Sequence, residues 1–163
     1  MLKIKSFFYK SAVQVLSLKK HKDKRGFLYK ILDQNIIKDI ICDIYISKSK
    51  KNVFRGLHYN KLEKDIRYYS CIEGELIHYF VDTRVRSKTY GICKSYKNTS
   101  KNIIIKLLPG IAHGVYTLKN NTLLLYLSSK RHDPKNEKLI SYRDAGIRLP
   151  RNVIISNKDK ADT

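Results

Sequence analysis

Nine short stretches rich in Ile, Val, Leu and Tyr follow one another along this chain, and they constrain its fold more than any other feature. They are AVQVLSL (12–18), FLYKIL (27–32), CDIYIS (42–47), IRYYSCIE (66–73), LIHYFVDTR (76–84), YGICKSY (90–96), NIIIKLL (102–108), HGVYTL (113–118) and TLLLYLSS (122–129). Each is strand-length, several alternate apolar with polar, and glycine, proline or Asn/Lys/Ser clusters separate them. TLKNNTLLLY reads as a hairpin, since Asn-Asn tolerates the left-handed backbone of a tight turn; IEGEL and LLPGIAHG read as two further turns. The helix candidates are DQNIIKDI (33–40) and the extreme C-terminus. Many short strands without intervening helices predict an all-β sandwich or jelly roll with few short helices. The 163 residues suit one domain over 1–163.

The totals narrow the partners. No apolar run approaches the roughly 18–20 residues of a membrane span, and MLKIKSFFYK lacks the apolar core and cleavage site of a secretory leader. Cys42, Cys71 and Cys93 are an odd set without CxxC spacing, which argues against a disulfide framework or zinc site and fits a reducing, cytoplasmic setting. Against 14 acidic residues stand 34 Lys and Arg, a net charge of +20, which raises nucleic acid or another anionic ligand as a partner. The lysines are spread along the whole chain rather than gathered on one arm. Nucleic acid is therefore the weaker reading, and an anionic small molecule such as a nucleotide sugar the stronger.

Alternate residues of a barrel strand face its interior, where a ligand cavity can sit. His58 of RGLHY, His113 of AHGVY and Tyr126 of LLLYLSS are the polar candidates for that interior. On pattern alone each also reads as an ordinary buried residue. A metal would need more ligands than HYN offers at His58, with no second histidine beside it, so no metal is expected.

Six segments carry a more specific signal: DKRGFLYKIL (23–32), SKSKKNVFRGLHYN (47–60), CIEGELIHYFVDTRVRSKTYG (71–91), LLPGIAHGVYTL (107–118), LLLYLSSKRHDPKNEKLISYRDAGI (123–147) and LPRNVIISNKDKAD (149–162). In this order they resemble the dTDP-4-dehydrorhamnose 3,5-epimerase family, which has a cupin-type jelly roll, or double-stranded β-helix. The resemblance implies an epimerase of a nucleoside-diphosphate 4-keto-6-deoxyhexose, acting in deoxysugar biosynthesis for surface polysaccharide. The C4 ketone acidifies the hydrogens on C3 and C5, so inversion needs a base on one face, an acid on the other and a cation for the enolate oxygen, and the resemblance implies no metal or redox cofactor. By resemblance His58 is the base, Asp159 of SNKD its carboxylate partner and Tyr126 the acid. Arg25, Arg55 and His113 would face the diphosphate or sugar. The resemblance also implies a homodimer that exchanges an N-terminal strand, and AVQVLSL is an apolar segment expected to need a partner sheet.

The sequence departs from the family at recognition positions. Arg67 stands where the family usually has an enolate-stabilising lysine, Lys30 replaces a glutamate, Asp43 and Tyr45 replace Gln and Asn, and His132 replaces a tyrosine. The acid–base set is kept while the residues around the ligand change. This predicts a related epimerase acting on another carrier (CDP, GDP or UDP), or inverting one centre only. The alternative from a different class is a non-catalytic basic cupin that binds nucleotide sugars or nucleic acid. Such a binding module has no need of a base, its carboxylate and an opposing acid together.

Overall fold

Alternation of inward and outward side chains, repeated strand after strand, builds two facing sheets. The computed structural model describes residues 3–33, 35, 37–60, 64–99 and 101–160. In chain order the strands are β1 (Lys3–Phe7), β2 (Val13–Ser17), β3 (Lys20–Asp23), β4 (Gly26–Tyr29), β5 (Asp43–Ser49), β6 (Val53–Asn60) and β7 (Arg67–Glu73). They continue with β8 (Leu76–Asp82), β9 (Cys93–Asn98), β10 (Ile103–Leu107), β11 (Ile111–Thr117), β12 (Thr122–Ser128), β13 (Glu137–Leu139) and β14 (Ile154–Ile155), before a one-turn helix α1 (Asn157–Lys160).

One sheet has the order β1-β2-β10-β7-β12-β5. The other runs β13-β6-β11-β8-β9, with β14 lying parallel beside β6, and β3 and β4 form a separate hairpin. This is the all-β jelly roll that the strand pattern predicts. Val13, Val15, Leu76, Phe80, Ile105, Leu107, Val115 and Leu124 fill the space between the two sheets. A second apolar layer, including Tyr68, Ile104 and Leu127, covers the outer face of the first sheet. The third joins Phe54 and Leu57 of the second sheet to Ile147 of the C-terminal segment.

Three expectations need correction. TLKNNTLLLY does turn through a left-handed asparagine (Asn121, φ 56°), but it is no hairpin. β11 pairs with β6 and β8 whereas β12 pairs with β5 and β7, so this turn carries the chain from one sheet to the other. IEGEL and LLPGIAHG make the same crossing. A local turn signal reports the reversal of direction and not which strands will hydrogen-bond. DQNIIKDI forms no helix at its described residues: a lone bond from the Ile37 N–H to the Asp33 carbonyl is a single turn, and Gln34 and Ile36 lie outside the described residues. AVQVLSL needs no partner chain, because β2 is paired on both sides within its own sheet, by β1 and β10.

Two sequence motifs are explained by the fold. In VDTRVRSKTYG the fully buried carboxylate of Asp82 accepts from the Arg84 guanidinium and from the hydroxyls of Ser87 and Thr89. Burial alone would raise its pKa, but these bonds outweigh it and hold the group at about 2. In RGLHY, Gly56 adopts φ 115°, and a Cβ there would come within 2.6 Å of the Gly114 Cα and the His113 carbonyl oxygen on β11. Only glycine lets β6 and β11 meet at this point. Gly56→Ala combines backbone strain with a clash against main chain. It is expected to cost about 3 kcal/mol, which for a chain of this size lowers Tm by roughly 6–12 °C; thermal unfolding followed by circular dichroism checks this.

Candidate active site

Strand register decides which polar side chains meet. On β11 and β6, His113 lies opposite His58. In the facing sheet Tyr126 of β12 lies between Tyr45 of β5 and Tyr69 of β7, and one step along, Ser128 lies between Asp43 and Arg67. A period of two places both rows on the same face of that sheet. Tyr45 and Tyr126 stack at 4.6 Å between centroids, and the Tyr69 ring reaches the opposite sheet, 4.0 Å from that of His113. His58, Tyr126, Arg55, Tyr45, His132 and Asp159 line one open cavity of about 500 Å³.

The imidazole of His58 is flanked by carboxylates at both ring nitrogens. Nε2 is 2.9 Å from Asp159 Oδ1, and Nδ1 is 3.5 Å from Glu137 Oε1. Asp159 is itself buried on α1, where its other oxygen accepts from the Gly56 N–H at 3.3 Å. Glu137 is also paired with Lys158, so the short helix is tied to β13 and β6. Burial by itself pulls the His58 pKa down. The Asp159 hydrogen bond and the charges of Asp159 and Glu137 outweigh this and raise it to about 9. Across the cavity, burial pushes the Tyr126 phenol above its ordinary value, and its oxygen shares a hydrogen bond of 3.1 Å with Ser47 Oγ. Tyr126 therefore stays protonated at neutral pH.

The remaining predicted residues divide. Arg67 lies in an adjoining small cavity shared with Asp43, Tyr45 and His132, and its Nε donates to Asp65 at 2.8 Å. One oxygen of Asp43 accepts the backbone N–H of His132 at 2.6 Å, so this carboxylate shapes the loop after β12. Arg55 Nε donates to Ser49. Arg25 is not brought to His58 within one chain. It pairs with Asp23 at the β3–β4 turn and lines a separate surface cavity, and Lys30 is exposed just past β4. Among the described residues no group of three or more His, Cys, Asp or Glu is placed to hold a metal ion, and no helix is long and apolar enough to cross a membrane.

The family model for dTDP-4-dehydrorhamnose 3,5-epimerase matches residues 11–163. The chain belongs to this family. The dTDP-4-dehydrorhamnose 3,5-epimerase of Salmonella typhimurium is 32% identical over 143 residues, covering 83% of this chain and 78% of that protein. A spore coat polysaccharide biosynthesis protein of Bacillus subtilis is 30% identical over 141 residues, 83% of this chain and 91% of that one. Among solved structures, the dTDP-6-deoxy-D-glucose-3,5-epimerase of Legionella pneumophila, in complex with dTDP-4-keto-L-rhamnose, superposes with a TM-score of 0.84 at 28% identity. It covers 93% of this chain and 86% of that one.

The structure also brings to His58 and His113 residues that sequence reasoning missed. Glu137 sits in a lysine-rich stretch and reads locally as a solvated charge; only the pairing of β13 with β6 brings it to His58. Tyr69 and His78 did leave a signal. Tyr69 shares the period-two face of Arg67 in IRYYSCIE, and His78 alternates with Leu76 and Phe80 in LIHYFVD.

The two carboxylates make a specific expectation for ionisation. An NMR titration of the histidine rings should place the His58 midpoint near 9. Glu137→Gln removes one charge that favours imidazolium, so the midpoint should fall by roughly 1 unit or more. A midpoint unchanged by the substitution would show that Asp159 alone sets the base.

Proposed function

We propose that this chain epimerises a nucleoside-diphosphate 4-keto-6-deoxyhexose at C3, C5 or both, in deoxysugar biosynthesis for polysaccharide. The observation that carries the reading is one cavity lined by an imidazole held between two carboxylates and, on the facing sheet, by a half-buried phenol. Family membership supports the substrate class, since the relatives named above act on dTDP-linked 4-keto sugars or serve polysaccharide biosynthesis.

In this reading neutral His58 removes the proton next to the ketone. The imidazolium it becomes is stabilised by Asp159 and Glu137, which makes His58 a stronger base than an isolated histidine. The same stabilisation leaves only about one molecule in a hundred with a free base at pH 7 when the midpoint is near 9. kcat/KM should therefore rise with pH through that region. Arg67 and His113 would serve the enolate oxygen, and Arg55 the diphosphate, through charge and N–H donors. Tyr126 returns a proton to the opposite face and completes the inversion. A binding module without catalysis would have no use for this opposed pair.

We read the working form as a homodimer. Ile44 and Ile46 are exposed on the edge strand β5, and Phe27 and Leu28 on the β3–β4 hairpin, which apolar contact with a second copy would cover. Only across such a dimer would Arg25 and Lys30 reach a His58 cavity. Of the changed residues, Tyr45 and His132 line the His58 cavity and Asp43 the small one beside it, and a site lined differently leaves polar groups of the wrong base unpaired, at about 1–3 kcal/mol each. In this reading the dTDP-linked sugar is a poor substrate compared with another carrier.

Solvent deuterium incorporation into 4-keto sugars on dTDP, CDP, GDP and UDP carriers tests the activity and the carrier together. One carrier should exceed dTDP clearly in kcat/KM; a win or tie for dTDP refutes the assignment of specificity to these residues. With the preferred substrate, His58→Asn should abolish exchange, while Tyr126→Phe should retain exchange better than completed inversion. Wild-type exchange in the Asn variant would remove His58 from the role of base. Light scattering at micromolar concentration should give the dimer mass, and a monomer mass overturns the assembly.

A further inference from the structure

Behind His113, one layer deeper in the sheet interior, lies a second buried histidine that the proposed reaction does not use. His78 of β8 is fully buried, and its Nδ1 is 2.9 Å from Nε2 of His113, which retains 6% exposure. The two rings stack at 5.2 Å, and Phe80 stacks on both. Tyr69 meets the pair edge-on at His78 and at a tilt at His113. The far nitrogen of His78, Nε2, is buried without a hydrogen-bond partner. Burial holds His78 at about 3. Burial, then the neighbouring groups His78, Arg67 and His58, holds His113 well below its ordinary value. Both rings are therefore neutral, each carrying one proton.

Two neutral rings joined by one hydrogen bond have two arrangements. If His113 Nε2–H donates, His78 must carry its proton on Nε2, which leaves an N–H orphaned among aromatic rings. If His78 Nδ1–H donates, its Nε2 is a bare lone pair, and His113 carries its proton on Nδ1. Orphaned buried N–H groups are the rarer defect. The second arrangement also supplies what an oxygen-rich ligand needs, a donor rather than another lone pair.

We propose that His78 is a positioning residue whose Nδ1–H locks His113 in the Nδ1–H tautomer, making His113 a fixed neutral hydrogen-bond donor for a sugar or enolate oxygen. The ligand part of this rests on the epimerase reading; the tautomer does not. A neutral imidazole gives up its N–H far less readily than a phenol gives up its O–H, so His113 donates a hydrogen bond without competing with Tyr126 as acid.

The chain has five histidines, so ring signals of ¹⁵N-labelled protein can be assigned by substitution. Long-range ¹H–¹⁵N spectra of the ligand-free protein at neutral pH should show both His78 and His113 protonated at Nδ1 and bare at Nε2. His78→Phe removes the donor at similar volume. His113 should then lose its single tautomer, and deuterium exchange into the preferred 4-keto sugar should fall roughly ten- to a hundredfold in kcat, with KM and the His58 midpoint little changed. A wild-type His113 protonated at Nε2, or on both nitrogens, overturns the proposal, as does a His113 tautomer that survives His78→Phe. If that variant fails to fold, the wild-type spectrum decides alone. A wild-type protein with the expected tautomers but no exchange on any carrier would refute the epimerase reading and leave the histidine pair standing.

Discussion

The imidazole of His58 between two carboxylates is the arrangement on which the rest of this site depends. Neither carboxylate is near it in sequence. Asp159 arrives on a one-turn helix at the end of the described chain, and Glu137 on a three-residue strand that pairs with the end of β6. A helix so short has little stability of its own. Its place is set by contacts: Asp159 to His58 and to the Gly56 N–H, and Lys158 to Glu137. The charges that raise the His58 pKa also fasten the segment that carries one of them.

The opposite wall follows a different physical rule. Tyr45, Tyr126 and Tyr69 form a cross-strand row whose rings pack on one another and on His113. Burial favours the neutral form of the phenols in this wall, which keep their protons, and of His113 and His78, which lie on the same sheet as His58 and stay uncharged. The sheet of β6 thus carries a charged, hydrogen-bonded imidazole, and the facing wall presents neutral phenols. Separated proton affinities of this kind are what inversion of a carbon centre by base and acid requires.

Much of the fold was legible in the chain. Each of the nine stretches that read as strands overlaps one, because apolar alternation reports a surface that packs on one side. Pairing was not legible. TLKNNTLLLY looks like a hairpin and is a crossing between sheets, since a tight reversal is compatible with either and the choice is made by the strands waiting on each side. AVQVLSL looks unpartnered and is not, for the same reason.

For the site, the sequence by itself determined the residue types and their order: His58, His113, Tyr126 and Asp159 in strand-like or terminal segments that match one family. It also determined that Gly56 precedes His58 by two positions, where only a residue without a Cβ fits. Tertiary structure alone decided which groups act on which. Glu137 joined His58, His78 moved behind His113, and Arg25 and Lys30 stayed on a hairpin away from the cavity. Local sequence sets which way a side chain points from its strand. The ionisation of a group depends on the charges and burial around it, and those come from strands that are neighbours only after the two sheets have closed.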